Sequence, residues 1–200
     1  MKKIKWKIII VTCILCFASA IPGLLMWEKL PDIMPIHFNI NNEPDNFASK
    51  TMAILIFPFL MAGMQTLCCV ITDIKSRNNK FEYAAKWIIP IMSIILQISM
   101  VMFATGKSVD IRRVAVALVS LEMIVLGNYM PKLDYIKNYK IDAQKARKIN
   151  RFTGFCFVIM GVLGVVSLLF SAWVSVVWLL MMIAFAICLA VFTMIKIKKQ

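Results

Sequence analysis

The sequence predicts an all-α integral membrane protein with about six transmembrane helices, and three observations indicate this class. Residues 152–195 contain no charged side chain over 44 positions, about twice the length that one helical bilayer crossing needs. Hydrophobic residues make up 61% of the chain, against roughly 45–50% in soluble domains. The apolar blocks also lack the alternation of membrane β-strands, which favours helices. We therefore expect a protein that works within or at a lipid bilayer.

We interpret all 200 residues as a single membrane domain. Residues 1–73 hold the first two spans and an outer loop (27–51), residues 87–130 hold spans three and four, and residues 131–151 form a basic cytoplasmic loop. Residues 152–195 form a helical hairpin with a tight turn near residues 171–175. The six predicted spans are residues 8–26, 52–72, 87–105, 114–130, 152–171 and 174–195.

Basic residues predict the orientation. The formal net charge of +13 would suggest a nucleic-acid partner for a soluble protein, but here the lysines and arginines stand at the edges of apolar blocks. Most of the 23 basic residues fall on one side of the bilayer when both termini are cytoplasmic. We therefore expect the lipid bilayer as a partner, no nucleic acid, and a multi-pass protein of the bacterial cytoplasmic membrane.

The N-terminus also has the pattern of a secretory signal. A lysine-rich start and an apolar run lead to Ala18-Ser19-Ala20, which resembles a signal-peptidase site. Against cleavage after Ala20, the apolar run continues through residues 21–26, and Pro22 is poorly suited to processing. We expect the segment to be retained as the first span.

The sequence gives no indication of an enzyme. It lacks a glycine-rich phosphate loop, a G-x-S-x-G elbow and a histidine pair, since its only histidine is His37. We therefore expect no catalytic residue, no cofactor and no metal. The six cysteines all lie in apolar blocks, where packing is their expected role: Cys13, Cys16, Cys68, Cys69, Cys156 and Cys188.

The outer loop, residues 27–51, is the informative polar stretch. Its three prolines and four asparagines predict a fixed, turn-rich structure. Its four acidic residues against two basic ones would attract a cationic extracellular molecule, or they simply follow from membrane topology. A metal site at His37 with Asp32, Glu43 and Asp45 is the weaker alternative.

Several motifs together resemble the SdpI-type bacterial immunity proteins, which open with a small domain of unassigned function. The outer loop reads LPDIMPIHFN at residues 30–39, EPD at 43–45 and ASK at 48–50. Residues 127–132, GNYMPK, are similar to the Gly-Asn-x-x-Pro-Lys element of that family. Residues 145–154 resemble the basic entry to its fifth span. The resemblance covers most of the chain.

The resemblance implies protection of a producing cell against a secreted killing peptide. It also implies a second activity, in which a small cytoplasmic repressor is held at the membrane when toxin is present. This chain departs from the family, because residues 133–144 replace its Gly-Ile-Arg-Thr-Pro-Trp-Thr segment. Protection without signalling is one hypothesis that follows. The outer-loop residues expected to respond to toxin are Pro35, His37, Asn39, Asp45 and Lys50.

Glu122 lies near the middle of the fourth predicted span, where an ionisable group is costly and usually faces protein or water. One interpretation makes it the proton or cation site of a small transporter or lipid-handling protein; another makes it a protonated carboxyl that joins helices. Gln65 and Gln97 are the candidate polar partners, and Asn128 is a further intramembrane polar residue. A third hypothesis is an accessory subunit of a larger membrane complex.

Two further patterns concern the second half of the chain. The basic residues Lys145, Arg147, Lys148 and Arg151 are candidates to bind anionic lipid head groups or an acidic cytoplasmic protein such as a repressor. Gly154, Gly161 and Gly164 share one face of the fifth span, which predicts close helix packing.

Overall fold

The computed structural model describes residues 4–75, 79–132 and 143–198. Seven α-helices and one β-hairpin account for most of these residues. The helices are α1 (Trp6–Ala18), α2 (Ile21–Leu25), α3 (Phe57–Lys75), α4 (Asn79–Ala104), α5 (Ile111–Tyr129), α6 (Ala143–Ser167) and α7 (Ala172–Lys198), and the strands are β1 (Ile33–Phe38) and β2 (Pro44–Ser49). Short 3₁₀ segments at Trp27–Lys29 and Met130–Lys132 and a π-helical segment at Met52–Ile56 complete the order.

Six helical segments are long and apolar enough to cross a membrane. They are Trp6–Leu25, Met52–Ile74, Lys80–Ala104, Ile111–Lys132, Arg147–Ser167 and Ala172–Leu189. They confirm the predicted all-α membrane class and the number of spans, with one small sheet as the addition. The chain is therefore a multi-pass membrane protein.

The basic loop predicted at residues 131–151 is partly helical. Helix α6 begins at Ala143, so Lys145, Arg147, Lys148 and Arg151 lie in its first turns. The reason is local, since residues 143–149 are mostly strong helix formers without glycine or proline. Residues 133–142, which include most of the segment that replaces the family motif, lie outside the described residues.

The link between the last two helices lies earlier than predicted. Helix α6 ends at Ser167 and α7 begins at Ala172, so the link is residues 168–171 rather than the region of residues 171–175. Ser167 Oγ donates a hydrogen bond to the Gly164 carbonyl and lies 3.3 Å from Ser175 Oγ. Ser175, which was predicted to be part of the turn, thus lies in the first turn of α7 and faces the end of α6.

The described residues divide into two compact units. The first contains α1, α2, the hairpin, α3, α4 from Glu82 and α5 as far as Leu118. The second contains the start of α4 before Glu82, the remainder of α5, and α6 and α7. Organisation as one membrane domain stays a prediction.

The β-hairpin, residues 33–49, replaces the turn-rich loop expected between the first two spans. Its strands are antiparallel and pair Met34 with Ala48 and Pro35 with Phe47, and the register shifts on both sides of His37. The base of the hairpin rests on an apolar cluster that includes the fully buried Met34 and Ile54. The π-helical segment follows, and its wider turn suits the ring of Pro58, which would crowd the carbonyl of residue 54 in a regular helix.

In the second unit, glycines allow α5 and α6 to pack backbone to backbone. A Cβ atom added at Gly154 would lie 2.5 Å from the Gly127 carbonyl oxygen, and one added at Gly161 would lie 2.5 Å from the Ser120 carbonyl oxygen. Gly164 faces Trp178 of α7, whose indole N–H donates to the Met160 carbonyl. The predicted glycine face of the fifth span is confirmed.

Candidate functional site

The exposed feature of the β-hairpin is a pair of side chains from its two strands. His37 Nδ1 lies 2.5 Å from Asp45 Oδ1, and the two side chains are 67% and 43% exposed. The register shifts on either side of His37 interrupt the regular strand pairing at this residue. The pair presents a carboxylate and an imidazole to solvent in a fixed arrangement, which suits recognition of a polar or charged group.

Asn39 and Asn42 build the turn of the hairpin. The Asn39 side chain accepts hydrogen bonds from the amides of Asn41 and Glu43 and donates to the Glu43 carboxylate. Asn42 adopts a left-handed conformation with φ of 63°, which asparagine tolerates better than most residues. Its amide group donates to the Val109 carbonyl and accepts from the Ile111 amide at 2.9 and 2.8 Å. The turn is therefore fastened to the segment before α5.

Lys50 closes the base of the hairpin. Its Nζ lies 3.3 Å from the carbonyl oxygens of Trp27 and Leu30 and 3.3 Å from a carboxylate oxygen of Asp32. It also lies 5.1 Å from the centre of the Trp27 ring. Pro35 is buried in β1. Of the five residues predicted to respond to toxin, His37 and Asp45 thus form the exposed pair, while Pro35, Asn39 and Lys50 are engaged in holding the hairpin together.

We expect Lys50→Ala to loosen the hairpin without unfolding the helices. Hydrogen bonds from a charged donor contribute about 1.5–3 kcal/mol, so exchange of the hairpin amides should accelerate at least about tenfold. Hydrogen exchange followed by mass spectrometry measures this rate. Lys29→Ala is the matched control, because Lys29 is exposed in the same loop, and equal acceleration in both variants would contradict the role of Lys50.

A buried ionic network in the first unit was missed by the sequence reasoning. Lys86 Nζ donates to Asp73 at 2.5 Å, with the two side chains 0% and 1% exposed. The backbone N–H of Lys5 donates to the other Asp73 oxygen at 3.0 Å, and Lys5 Nζ donates to the buried Glu82 at 2.6 Å. The hydrogen bond to Glu82 raises the pKa of Lys5 despite partial desolvation, so Lys5 is protonated at neutral pH. Ionisable side chains within spans are expensive and mark sites of structural or functional constraint.

A signal for this network is present in the sequence. Gln65, Cys69 and Asp73 recur every four residues on α3, and all three are buried. On α4 a second buried stripe contains Glu82, Lys86, Ser93 and Gln97. Helical periodicity places each set on one face, and polar residues on the inner face of a membrane helix indicate contacts between helices.

The intramembrane polar residues named from the sequence have separate environments. Gln65 Nε2 donates to the Lys86 carbonyl, and Gln97 Nε2 donates to the Ala53 carbonyl. Glu122 is half-buried, and among the described residues of its own unit its carboxylate makes no hydrogen bond or ion pair. Asn128 is exposed, as are the basic side chains Lys145, Arg147, Lys148 and Arg151.

Nothing in the described ranges 4–75, 79–132 and 143–198 forms a metal site of three or more histidine, cysteine or carboxylate side chains. His37 has Asp45 beside it, while Asp32 contacts Lys50 and Glu43 contacts Asn39. Of the four residues that the sequence offered as a metal site, His37 and Asp45 therefore contact each other, whereas Asp32 and Glu43 contact other side chains.

Comparison with known proteins gives two matches. Residues 14–62 match a family model described as a domain of unknown function, DUF1648. The immunity protein SdpI of Bacillus subtilis (strain 168) is 26% identical over 122 residues, which are 60% of this chain and 58% of that relative. The aligned region is thus less than two thirds of the length of the curated relative. No solved structure matches the chain.

Proposed function

We propose that this chain protects a bacterial cell against a secreted antimicrobial peptide. The premise is that the chain is of the SdpI type, which both matches support. The role needs no catalysis and no cofactor. The β-hairpin is the part that meets the peptide, and His37 with Asp45 is its point of contact.

The observation that best supports this proposal is that an exposed pair of side chains, His37 and Asp45, lies on a hairpin held in a fixed conformation. The hairpin lies inside the region matched by the DUF1648 family model, so the similarity and the geometry concern the same residues. Asn39, Asn42 and Lys50 fasten its turn and base, while the His37–Asp45 pair stays exposed. A surface that is ordered before binding loses less conformational entropy when a partner docks.

The proposal requires that the hairpin face the outside of the cytoplasmic membrane. The distribution of lysine and arginine supports this orientation, with both chain ends in the cytoplasm. The exposed basic residues at the start of α6 then face the cytoplasm, where they are available to anionic lipid or to an acidic repressor. We propose protection as the main activity and capture of a repressor as a secondary one.

We expect His37→Ala to weaken protection. The test is survival of a sensitive Gram-positive strain producing the chain, challenged with the killing peptide of an SdpI-producing strain and with other membrane-active peptides. Losing the contact should lower the tolerated peptide concentration roughly tenfold at equal membrane abundance, because a hydrogen bond to a charged group contributes about 1.5 kcal/mol at the lower end of its range. Asp45→Asn should act in the same direction.

Asn41→Ala is the matched control, since Asn41 is exposed at the turn of the same hairpin. Full protection by His37→Ala, or equal loss in Asn41→Ala, would contradict a contact at the pair. Absence of protection by the unmodified chain against every peptide would reject the immunity function itself.

Transport through Glu122 is the second candidate function. The observation that favours it is a half-buried carboxylate within the candidate span Ile111–Lys132 that has no ionic partner among the described residues of its unit. The same survival assay separates the two functions. Immunity at the hairpin should persist in Glu122→Gln, whereas protection by proton-coupled export should be lost in that variant and in cells without a proton gradient.

A further inference from the structure

An apolar cavity of about 370 Å³ lies between the hairpin and the adjacent ends of α3 and α4. Ile36 and Phe38 line it from the hairpin, and Leu96 and Met100 line it from α4. Gln97 is a polar residue in the lining, but its amide nitrogen already donates to the Ala53 carbonyl. The volume falls within the roughly 300–1,000 Å³ of typical ligand pockets. Such a lining suits a hydrocarbon ligand better than water.

The cavity is continuous with a surface that faces lipid. Ile56 of the π-helical segment and Leu60 of α3 line another side of it, and these side chains are 44% and 62% exposed within the candidate span Met52–Ile74. Exposed aliphatic side chains on a membrane span contact acyl chains in the bilayer. An acyl chain that packs against these two side chains would lie directly beside the cavity lining.

Basic residues directly follow one lining residue of the cavity in the sequence. Ile111, which is part of the lining, begins α5 and is followed by Arg112 and Arg113. Both guanidinium groups contact the Asp110 carboxylate, at 3.1 and 3.2 Å. Residues 107–113 contain Lys107, Arg112 and Arg113 against Asp110, so this segment of the sequence has a formal charge of +2. Arg113 is 56% exposed, and Asn42 fastens this segment to the hairpin. Arginine is well suited to bind a phosphate group.

We propose that the first unit binds one anionic phospholipid, with an acyl chain in the cavity beneath the hairpin and its phosphate at Arg113. The hydrocarbon lining, the opening toward the bilayer and the adjacent positive charge each match one part of such a molecule. Binding places a lipid directly under the strand that carries His37. The site is independent of the immunity function, because it would exist whether or not the hairpin meets a peptide.

The test uses the full chain in phosphatidylcholine vesicles that contain phosphatidylglycerol with a photoreactive diazirine in one acyl chain. After irradiation, mass spectrometry locates the labelled residues. We expect labelling at Phe38, Leu96 and Met100, reduced at least about fivefold by excess unlabelled phosphatidylglycerol but not by phosphatidylcholine. Labelling no stronger there than at the exposed Leu169, or equal competition by both lipids, would overturn the proposal.

Two variants test the two parts of the site. Ala48→Trp fills the cavity from β2 and should abolish the cavity labels, while Phe47→Trp adds bulk at the neighbouring exposed position and should leave them unchanged.

The phosphate contact is tested by Arg113→Gln, which should remove the preference for phosphatidylglycerol. Arg151→Gln changes an exposed arginine of α6 and should leave that preference unchanged. Unchanged labels in Ala48→Trp, or an unchanged preference in Arg113→Gln, would contradict the acyl-chain or phosphate contact respectively. If Ala48→Trp does not fold, the competition result on the unmodified chain decides the proposal.

Discussion

Replacing Asp73 with asparagine should be among the most damaging single changes in the first unit. The substitution leaves the fully buried ammonium group of Lys86 without its counter-ion. Removing one partner of a buried ion pair costs about 3–5 kcal/mol, which corresponds to a fall in Tm on the order of 10 °C for a chain of this length. Lys86→Met should also be harmful, because it removes the counter-ion of the buried Asp73 carboxylate, which keeps the Lys5 backbone N–H as a hydrogen-bond donor. Thermal unfolding in detergent measures both effects.

The double variant Asp73→Asn with Lys86→Met distinguishes the cost of leaving one buried charge unpaired from the cost of changing the shape of the two side chains. It removes both charges, and asparagine retains a side-chain oxygen that can accept from the Lys5 backbone N–H. We therefore expect the double variant to be more stable than either single variant, because replacing a whole buried pair is often close to neutral. Lys7→Met, at an exposed position of α1, should change stability by less than about 0.5 kcal/mol. Stable single variants, or a double variant as unstable as the sum of both, would refute the coupling.

The glycines between α5 and α6 should show the second large effect. An alanine methyl group at Gly154 or Gly161 would meet a carbonyl oxygen of α5 at 2.5 Å, and this backbone cannot move aside locally. Forcing extra volume into a packed contact costs about 1–3 kcal/mol. We expect each substitution to lower stability by that amount, with Gly161→Leu worse than Gly161→Ala. Thermal unfolding or denaturant titration of the purified variants measures the loss.

Gly63→Ala is the matched control for these substitutions, and we expect the opposite sign. Gly63 lies inside α3, and a Cβ atom there would have no neighbour within 4 Å. Alanine is favoured over glycine in a helix by about 0.5–1 kcal/mol, so this variant should be unchanged or slightly more stable. Equal losses at positions 63, 154 and 161 would show that helix propensity, rather than close packing, explains the results.

The membrane class could be predicted because it depends on the amino-acid composition of long continuous segments. The charge-free run at residues 152–195 and the apolar blocks specify spans with little dependence on tertiary contacts. The glycine face of α6 was also predictable, because helical periodicity alone places Gly154, Gly161 and Gly164 together.

The hairpin and the ionic network were harder to predict, for different reasons. Pro35 and Pro44 lie in short, bulged strands, and both residues are poor strand formers, so local propensity pointed to turns. Pairing between β1 and β2 and the apolar cluster beneath them overcome that propensity. Lys86 and Asp73 lie near the ends of apolar blocks, where charged residues normally meet water. The polar stripes on α3 and α4 indicate contacts between helices, but the tertiary arrangement is needed to show that Lys86 and Asp73 are buried and paired with each other.

The ion pair between α3 and α4 also bears on how the protein is made. A single charged residue at the centre of a membrane helix disfavours insertion by about 2.5–3.5 kcal/mol, and the cost falls toward the helix ends. Asp73 and Lys86 belong to consecutive helices separated by a short link, so each can neutralise the other as soon as both have been synthesised. The free-energy cost of inserting the two charged residues is therefore lower when the two helices enter the bilayer together, as one cotranslational unit.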